Sequence, residues 1–379
     1  MKILLWGTYD TGKPRIRILR DGLRASGVDI EEIHEDIWGK ISDKSSVRGA
    51  GRWSRLGLRL LAAYPRLIWR YLRARDHDVV LVSYPGQLDV LVLRPFAWLR
   101  HKRIAFDWFI SAFDTVVQDR KLTRQHSPLA RLIWWGERLA SRAADMVFMD
   151  TAIHAKRMEK LFRLPCGSVG RVWVGAEASF FQRRTRRTEH EYLQVLFYGQ
   201  FIPLHGIDTI VEAARLLNHA PVQWTLIGRG QEAPRIRAML DEQPLPALRW
   251  VEWVPYETLR EWIEQADVCL GIFGTSEKAA SVIPNKVFQV VACGCPLVTR
   301  ESLAIRELFG DVSHCIRLVP AGDAQALANA IRGCVETVRS LPDTCHADLK
   351  ERIDAAAVAR QFLSMISERF PETSQTNDL

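Results

Sequence analysis

The sequence predicts an α/β protein built from two doubly wound, Rossmann-like halves. Two observations carry this. The chain opens strand, loop, helix, strand from Lys2 to His34, and the same alternation begins again at Leu193. Between them, residues 176–189 turn polar and basic, with Arg183, Arg184, Arg186 and Arg187, as a linker does. With 379 residues, two domains are the expectation.

In the first half, Lys2–Gly7 is an apolar strand and Thr8–Lys13 a polar loop. Pro14 opens a helix running to about Ser26, and Val28–His34 is the second strand. Gly7 and Gly12 do not make a G-x-G-x-x-G, which counts against a nicotinamide enzyme. Residues 39–51 read as a mobile loop. Arg52–Arg75 follows, with seven arginines among Trp53, Leu56, Leu60, Leu61, Tyr64, Trp69 and Tyr71, and with Pro65 expected to break or kink it. Arginine flanking aromatic and aliphatic residues suits a helix lying on anionic lipid, or a helix packed on the sheet with a solvated basic face.

Asp78–Ser83 and Arg103–Asp107 are strands, with a helix from Gln87 to Leu99 between them. Open α/β sheets hold ligands at strand C-termini, so Asp107 and Asp114 are candidates to meet substrate; capped turns are the alternative. Leu129–Ala143 is a helix with Trp134, Trp135 and Leu139 on its apolar side. A strand at Met146–Met149, a helix at Ile153–Leu161 and a strand at Ser168–Val172 complete the half.

In the second half, strands fall at Leu193–Tyr198, Gln223–Gly228, Leu248–Trp253, Val268–Phe273 and Leu297–Thr299. Helices come between them, then at Ala324–Arg339 and Leu349–Phe370. The stretch Gly271–Thr299 stands out. Pro284 suits a first helical position, and a helix start attracts anions. Lys286 adds a charge there, with Gln289 on the same face and Gly294 and Pro296 closing the helix. An ordinary helix that carries a lysine is the plain alternative.

Composition is that of a globular protein, 47% hydrophobic and 25% charged. No apolar run reaches the ~18 residues of a membrane span, and MKILLWG lacks the regions of a signal peptide. Seven scattered cysteines suggest reduced thiols and a cytoplasmic location. Residues 1–185 hold 33 Lys+Arg against 19 Asp+Glu, about +14, and the remainder 19 against 25, about −6. A basic half implies an anionic partner; no nucleic-acid motif accompanies the charge, which favours a membrane surface over nucleic acid.

Five stretches carry a family likeness: YGQFIPLHGIDTIVEAARLL from Tyr198, TLIGRG from Thr225, ADVCLGIF from Ala266, VIPNKVFQVVACGCPLVT from Val282 and RELF from Arg306. Their order and spacing resemble the C-terminal domain of retaining glycosyltransferases of family 4, with the GT-B fold. The resemblance is weaker in the first half, through its opening strand, FDWFISAFDT and ADMVFMDT.

The likeness implies domains at 1–185 for an acceptor and 186–350 for a nucleotide sugar, facing a cleft. A C-terminal helix at 351–371 packs back on the first domain, and 372–379 is disordered. It implies sugar transfer from a UDP- or GDP-sugar to a lipid-linked or surface-polysaccharide acceptor, with no metal and no cofactor, at the inner face of a membrane. Gly199, Gln200, His205 and Gly206 then form the donor loop. The family's arginine and lysine fall on Gln200 and His205, and its paired glutamates on Ser281 and Gln289; all four depart from the pattern. Lys286 supplies the missing charge, with Pro284 and Asn285 at the helix start. Arg229 assists, Gln289 meets ribose, and Glu277 and Lys278 line the sugar pocket. Asp107 or Asp114 orients the acceptor hydroxyl, which approaches past Tyr9–Arg15. Two other readings remain, an epimerase-like relative and a non-catalytic membrane-bound partner protein.

Overall fold

The computed structural model describes residues 1–38, 50–182, 191–310, 315–341 and 345–371, and the side chains of 50–54 and 339 are not described. The expected mobile loop at 39–51 lies largely outside these residues, as do the linker arginines at 183–187 and the tail at 372–379. The chain divides into two units, Met1–Val174 with Ala355–Leu379, and Gly175–Asp354. The first unit thus ends before the expected boundary at 185.

Six strands form the sheet of the first unit: β1 (Lys2–Gly7), β2 (Asp29–His34), β3 (Val79–Val82), β4 (Arg103–Asp107), β5 (Met146–Met149) and β6 (Val169–Arg171). They lie in the order β2-β1-β3-β4-β5-β6, all parallel, with Leu4 opposite Val80 and Ala105 opposite Met146. Apolar runs such as VVLV and MVFM are buried throughout because helices cover both faces. The strand order reverses between β1 and β3, the place where such sheets hold ligands.

On one face, the Pro14–Ala25 helix packs against the Ala355–Arg369 helix. Gln361 Oε1 accepts from Arg171 Nη1 and from the Trp173 amide, both at 3.1 Å, and Phe362 meets Phe148 at 5.4 Å between ring centroids. The expected single helix over 349–370 is two, Ala347–Ile353 and Ala355–Arg369, parted at Asp354. The other face carries the Ala50–Leu72, Gln87–Leu99 and Pro128–Ala143 helices, each packed on the next. The first runs through Pro65 without the break that was one of the two outcomes expected there. Leu56, Ala63, Tyr64, Leu67 and Tyr71 are buried on both sides of the proline and hold it against the sheet.

The second unit repeats the pattern with β7 (Leu193–Tyr198), β8 (Val222–Ile227), β9 (Leu248–Val251), β10 (Val268–Leu270), β11 (Leu297–Arg300) and β12 (Ile316–Val319). The order is β12-β11-β10-β7-β8-β9, all parallel. The sequence reading missed β12: IRLV is short, and two of its four residues are only half-buried. The switch point lies between β7 and β10.

Candidate active site

The loop after β7 and the helix Asn285–Cys293 meet at this switch point. Lys286, on the first turn of that helix, is 5% exposed. Its Nζ stands 3.6 Å from the centroid of the Phe197 ring and has no hydrogen-bond partner among the described residues. Burial holds its pKa well below the ordinary lysine value.

Two glycines make room for it. Gly199 has φ +148, and a Cβ there would stand 2.9 Å from Lys286 Nζ and 3.1 Å from His205 Cε1. Gly228 has φ +156, and a Cβ there would fall 1.9 Å from the Gly199 carbonyl oxygen. The two loops can touch only as bare backbone.

The helix start itself differs from the expectation. Pro284 is the N-cap residue, with extended backbone, and Asn285 opens the helix. Val287 N donates to the Pro284 carbonyl at 2.9 Å, which leaves the Asn285 and Lys286 N–H groups without a protein acceptor among the described residues. These two donors and the ammonium of Lys286 are what the site holds out to an anion.

The 199–206 loop offers less than expected. The amides of Gly199, Phe201, Ile202, His205 and Gly206 already donate to the carbonyls of Ile227, Arg229, Gln200, Ile202 and Pro203. His205 is 8% exposed, and its Nδ1 is hydrogen-bonded to the Gln200 carbonyl, which marks it as a loop brace. Gly206, at φ +63, precedes the Ile207–Leu216 helix. Arg229 is exposed at the end of β8, with no side-chain partner among the described residues.

Gln289 is buried, and both ends of its amide are engaged. Tyr198 Oη donates to its Oε1 at 3.0 Å, and its Nε2 donates to Tyr256 Oη at 2.9 Å. Tyr256 in turn donates to Glu177. The expected ribose contact therefore does not stand ready; the residue fastens the helix to its surroundings. Ser281 Oγ donates to the Glu277 carbonyl at 2.7 Å, within its own short helix. Glu277 is exposed and Lys278 buried. Sequence reasoning missed Phe197, Tyr198 and Tyr256. Tyr198 directly precedes Gly199 at a strand C-terminus and was findable from that position; Tyr256 lies far from the loop in sequence and was not.

Residues 193–337 match a family model described as glycosyl transferases group 1. These residues belong to the second unit and resemble group 1 glycosyltransferases. The chain is similar to WcaI of Escherichia coli (strain K12), which carries the name of a colanic acid biosynthesis glycosyl transferase. Identity is 23% over 178 residues, 45% of this chain and 42% of WcaI. The match thus spans less than half of that relative.

Among solved structures, sucrose-phosphate synthase from Thermosynechococcus elongatus is 16% identical, covers 98% of this chain and 100% of its own, and gives a TM-score of 0.69. HepE from Anabaena in complex with UDP is 15% identical, with 97% and 100% covered and a TM-score of 0.63. The apo form of WaaB, a lipopolysaccharide outer core galactosyltransferase, is 14% identical, with 98% and 100% covered and a TM-score of 0.60. These likenesses establish the fold, which is GT-B.

The second unit thus holds Lys286, Gly199, His205, Pro284 and Asn285 together at its switch point. The aspartates expected to meet an acceptor belong to the first unit, and both are buried and ion-paired. Asp107 ends β4 as predicted, but it is 1% exposed and paired with Arg15, Nε to Oδ1 at 2.7 Å. Ser83 Oγ donates to its other oxygen at 3.3 Å. Burial pushes its carboxyl up and Arg15 pulls it back. Asp114 is fully buried on a π-helix, Asp114–Asp119, where Arg157 Nη2 donates to its Oδ1 at 2.6 Å. Tyr9 is buried too, its hydroxyl donating to Glu32 at 2.7 Å. Neither carboxylate faces solvent: each answers a guanidinium that only the folded chain brings to it, buried for Arg15 and half-buried for Arg157.

Proposed function

We propose that the chain is a retaining, metal-independent glycosyltransferase. It moves a sugar from a UDP- or GDP-sugar to a lipid-linked or surface-polysaccharide acceptor, working peripherally at the cytoplasmic face of a membrane. The observation that carries the donor half is the buried, unpartnered Lys286 Nζ beside Gly199, inside the stretch that resembles group 1 glycosyltransferases.

A diphosphate placed there answers three donors at once: Nζ and the N–H groups of Asn285 and Lys286. Arg229 stands exposed at the neighbouring strand end. As the bond from the anomeric carbon to phosphate breaks, negative charge grows on the departing diphosphate. Fixed donors in a site closed to water stabilise it without reorganising. This supplies the role a divalent metal would otherwise fill.

Similar structures support a uridine donor: HepE is known in complex with UDP-glucose, and a pneumococcal O-GlcNAc transferase, GtfA, in complex with UDP and GlcNAc. Support for a membrane-proximal acceptor comes from the Ala50–Leu72 helix. Leu58, Leu61 and Trp69 are exposed there among Arg55, Arg59 and Arg66. Among the described residues no helix is long and apolar enough to cross a membrane.

The test is calorimetry with UDP, GDP and their sugars, followed by single-turnover assays with lipid-linked acceptors. Binding of one nucleotide diphosphate, weakened by a few kcal/mol in Lys286→Ala, supports the reading. No nucleotide binding would leave a non-catalytic partner protein, and turnover without acceptor would indicate epimerase-like chemistry.

A further inference from the structure

The Pro128–Ala143 helix turns part of its apolar side away from the core. Its buried residues are Ala130, Glu137, Ala140 and Ser141. Leu132 is 70% exposed, Trp135 59% and Leu139 56%, although the last two were expected to pack inward. The inversion has a cause. Glu137 accepts from Trp108 Nε1, Ser111 Oγ, the Ala112 and Phe113 amides and Gln87 Nε2, all within 2.8–2.9 Å. That clamp turns the polar residue inward and the leucines outward. The adjoining helices also expose large apolar residues, Trp69 and Trp98 at 55% and 70%.

A groove of about 440 Å³ opens beside this helix. Arg131, Arg138 and Arg163 line it with Phe113, Trp134 and Trp135, and no carboxylate contributes. Between 121 and 143 the chain carries Lys121, Arg124, Arg131, Arg138 and Arg142 against the single acid Glu137, which is 2% exposed and fully engaged. Arg138 is held in place by donating Nη1 to the Arg163 carbonyl at 2.8 Å and to that of Phe162. The guanidiniums of Arg131 and Arg163 have no acceptor among the described residues. The groove is therefore lined by cationic side chains and rimmed by exposed leucine and tryptophan.

We propose that this groove takes the phosphate of an anionic phospholipid headgroup, while Leu132, Trp135 and Leu139 enter the acyl boundary. Charge complementarity selects the anion, and the exposed apolar side chains select its source. A free phosphate or a polynucleotide would leave the leucines in water, whereas a bilayer meets both chemistries in one plane. The site is separate from the donor pocket and does not rest on the glycosyltransferase reading. It also adds a docking point beyond the Ala50–Leu72 helix.

The experiment is vesicle flotation of the full chain, using phosphatidylcholine alone or with phosphatidylglycerol, at physiological salt. Binding is expected only with phosphatidylglycerol. Arg131→Ala with Arg163→Ala should lower partitioning roughly thirtyfold. Leu132→Ser with Trp135→Ser should abolish it. Unchanged melting temperatures are expected, since all four side chains are exposed. Equal partitioning of the arginine pair and wild type would overturn the proposal. So would loss of binding only on Arg59→Ala with Arg66→Ala. Inorganic phosphate or a polynucleotide binding through Arg131 and Arg163, with no vesicle binding, would also overturn it.

Discussion

Lys286 Nζ lies where a side chain on Gly199 would begin: a Cβ on that glycine would stand 2.9 Å away. The absence of a side chain on Gly199 therefore keeps the surroundings of Lys286 Nζ clear. Gly199→Ala is expected to cost about 1–3 kcal/mol of stability through its left-handed backbone and to reduce nucleotide-diphosphate affinity by about tenfold or more. Thermal melts and calorimetry on the same variant check both parts. Affinity equal to wild type would show that the space is not the phosphate site.

Burying an unpartnered amine is unfavourable in the empty protein. Lys286→Met keeps the length and removes that cost. The variant should be more stable than wild type by about 1–3 kcal/mol while losing nucleotide binding. Opposite signs for stability and affinity are the signature of a residue kept for its ligand. A variant less stable than wild type would assign Lys286 a structural role.

The same lysine sets a pH dependence. Its pKa is depressed in the empty site by burial, and a diphosphate beside it raises that pKa again. Between the two values, binding takes up a proton, so affinity falls as pH rises through the window. Calorimetry in two buffers of unlike ionisation enthalpy reads this directly. Identical heats in both buffers would mean that no proton moves.

Asp107 and Arg15 predict a folding defect rather than a catalytic one. Asp107→Ala leaves a buried guanidinium unpaired and should cost about 3–5 kcal/mol. Activity per folded molecule should stay near wild type. A stable variant with lowered kcat would return Asp107 to the reaction.

Asp89 gives a second pH effect. It is buried, accepts from the Thr8 amide at 2.7 Å and from Tyr64 Oη at 2.8 Å, and burial still raises its pKa to about 6. Between about pH 4 and that value, the folded chain holds a proton the unfolded chain has lost, so stability falls as pH rises. The drop should approach 3 kcal/mol, and Asp89→Asn should flatten it in denaturant titrations across that range.

What the sequence by itself determined is the part written in local pattern. Apolar runs placed the strands and glycines marked the loop at Gly199. A proline-led helix start drew attention to Lys286. These depend on residues near one another in the chain, where periodicity and turn chemistry act directly. Only the tertiary structure decided which polar groups remain available. Asp107 and Asp114 sit at plausible strand and loop ends, yet Arg15 and Arg157 arrive from distant elements to close them. Gln289 read as a ligand until Tyr198 and Tyr256 took both ends of its amide. Trp135 and Leu139 looked like core until Glu137 turned their helix over. Burial and hydrogen-bond satisfaction are properties of groups far apart in sequence, and no local pattern records them. Lys286 stayed unpartnered because the fold surrounds it with an aromatic ring and bare glycine backbone, and provides no acceptor among the described residues.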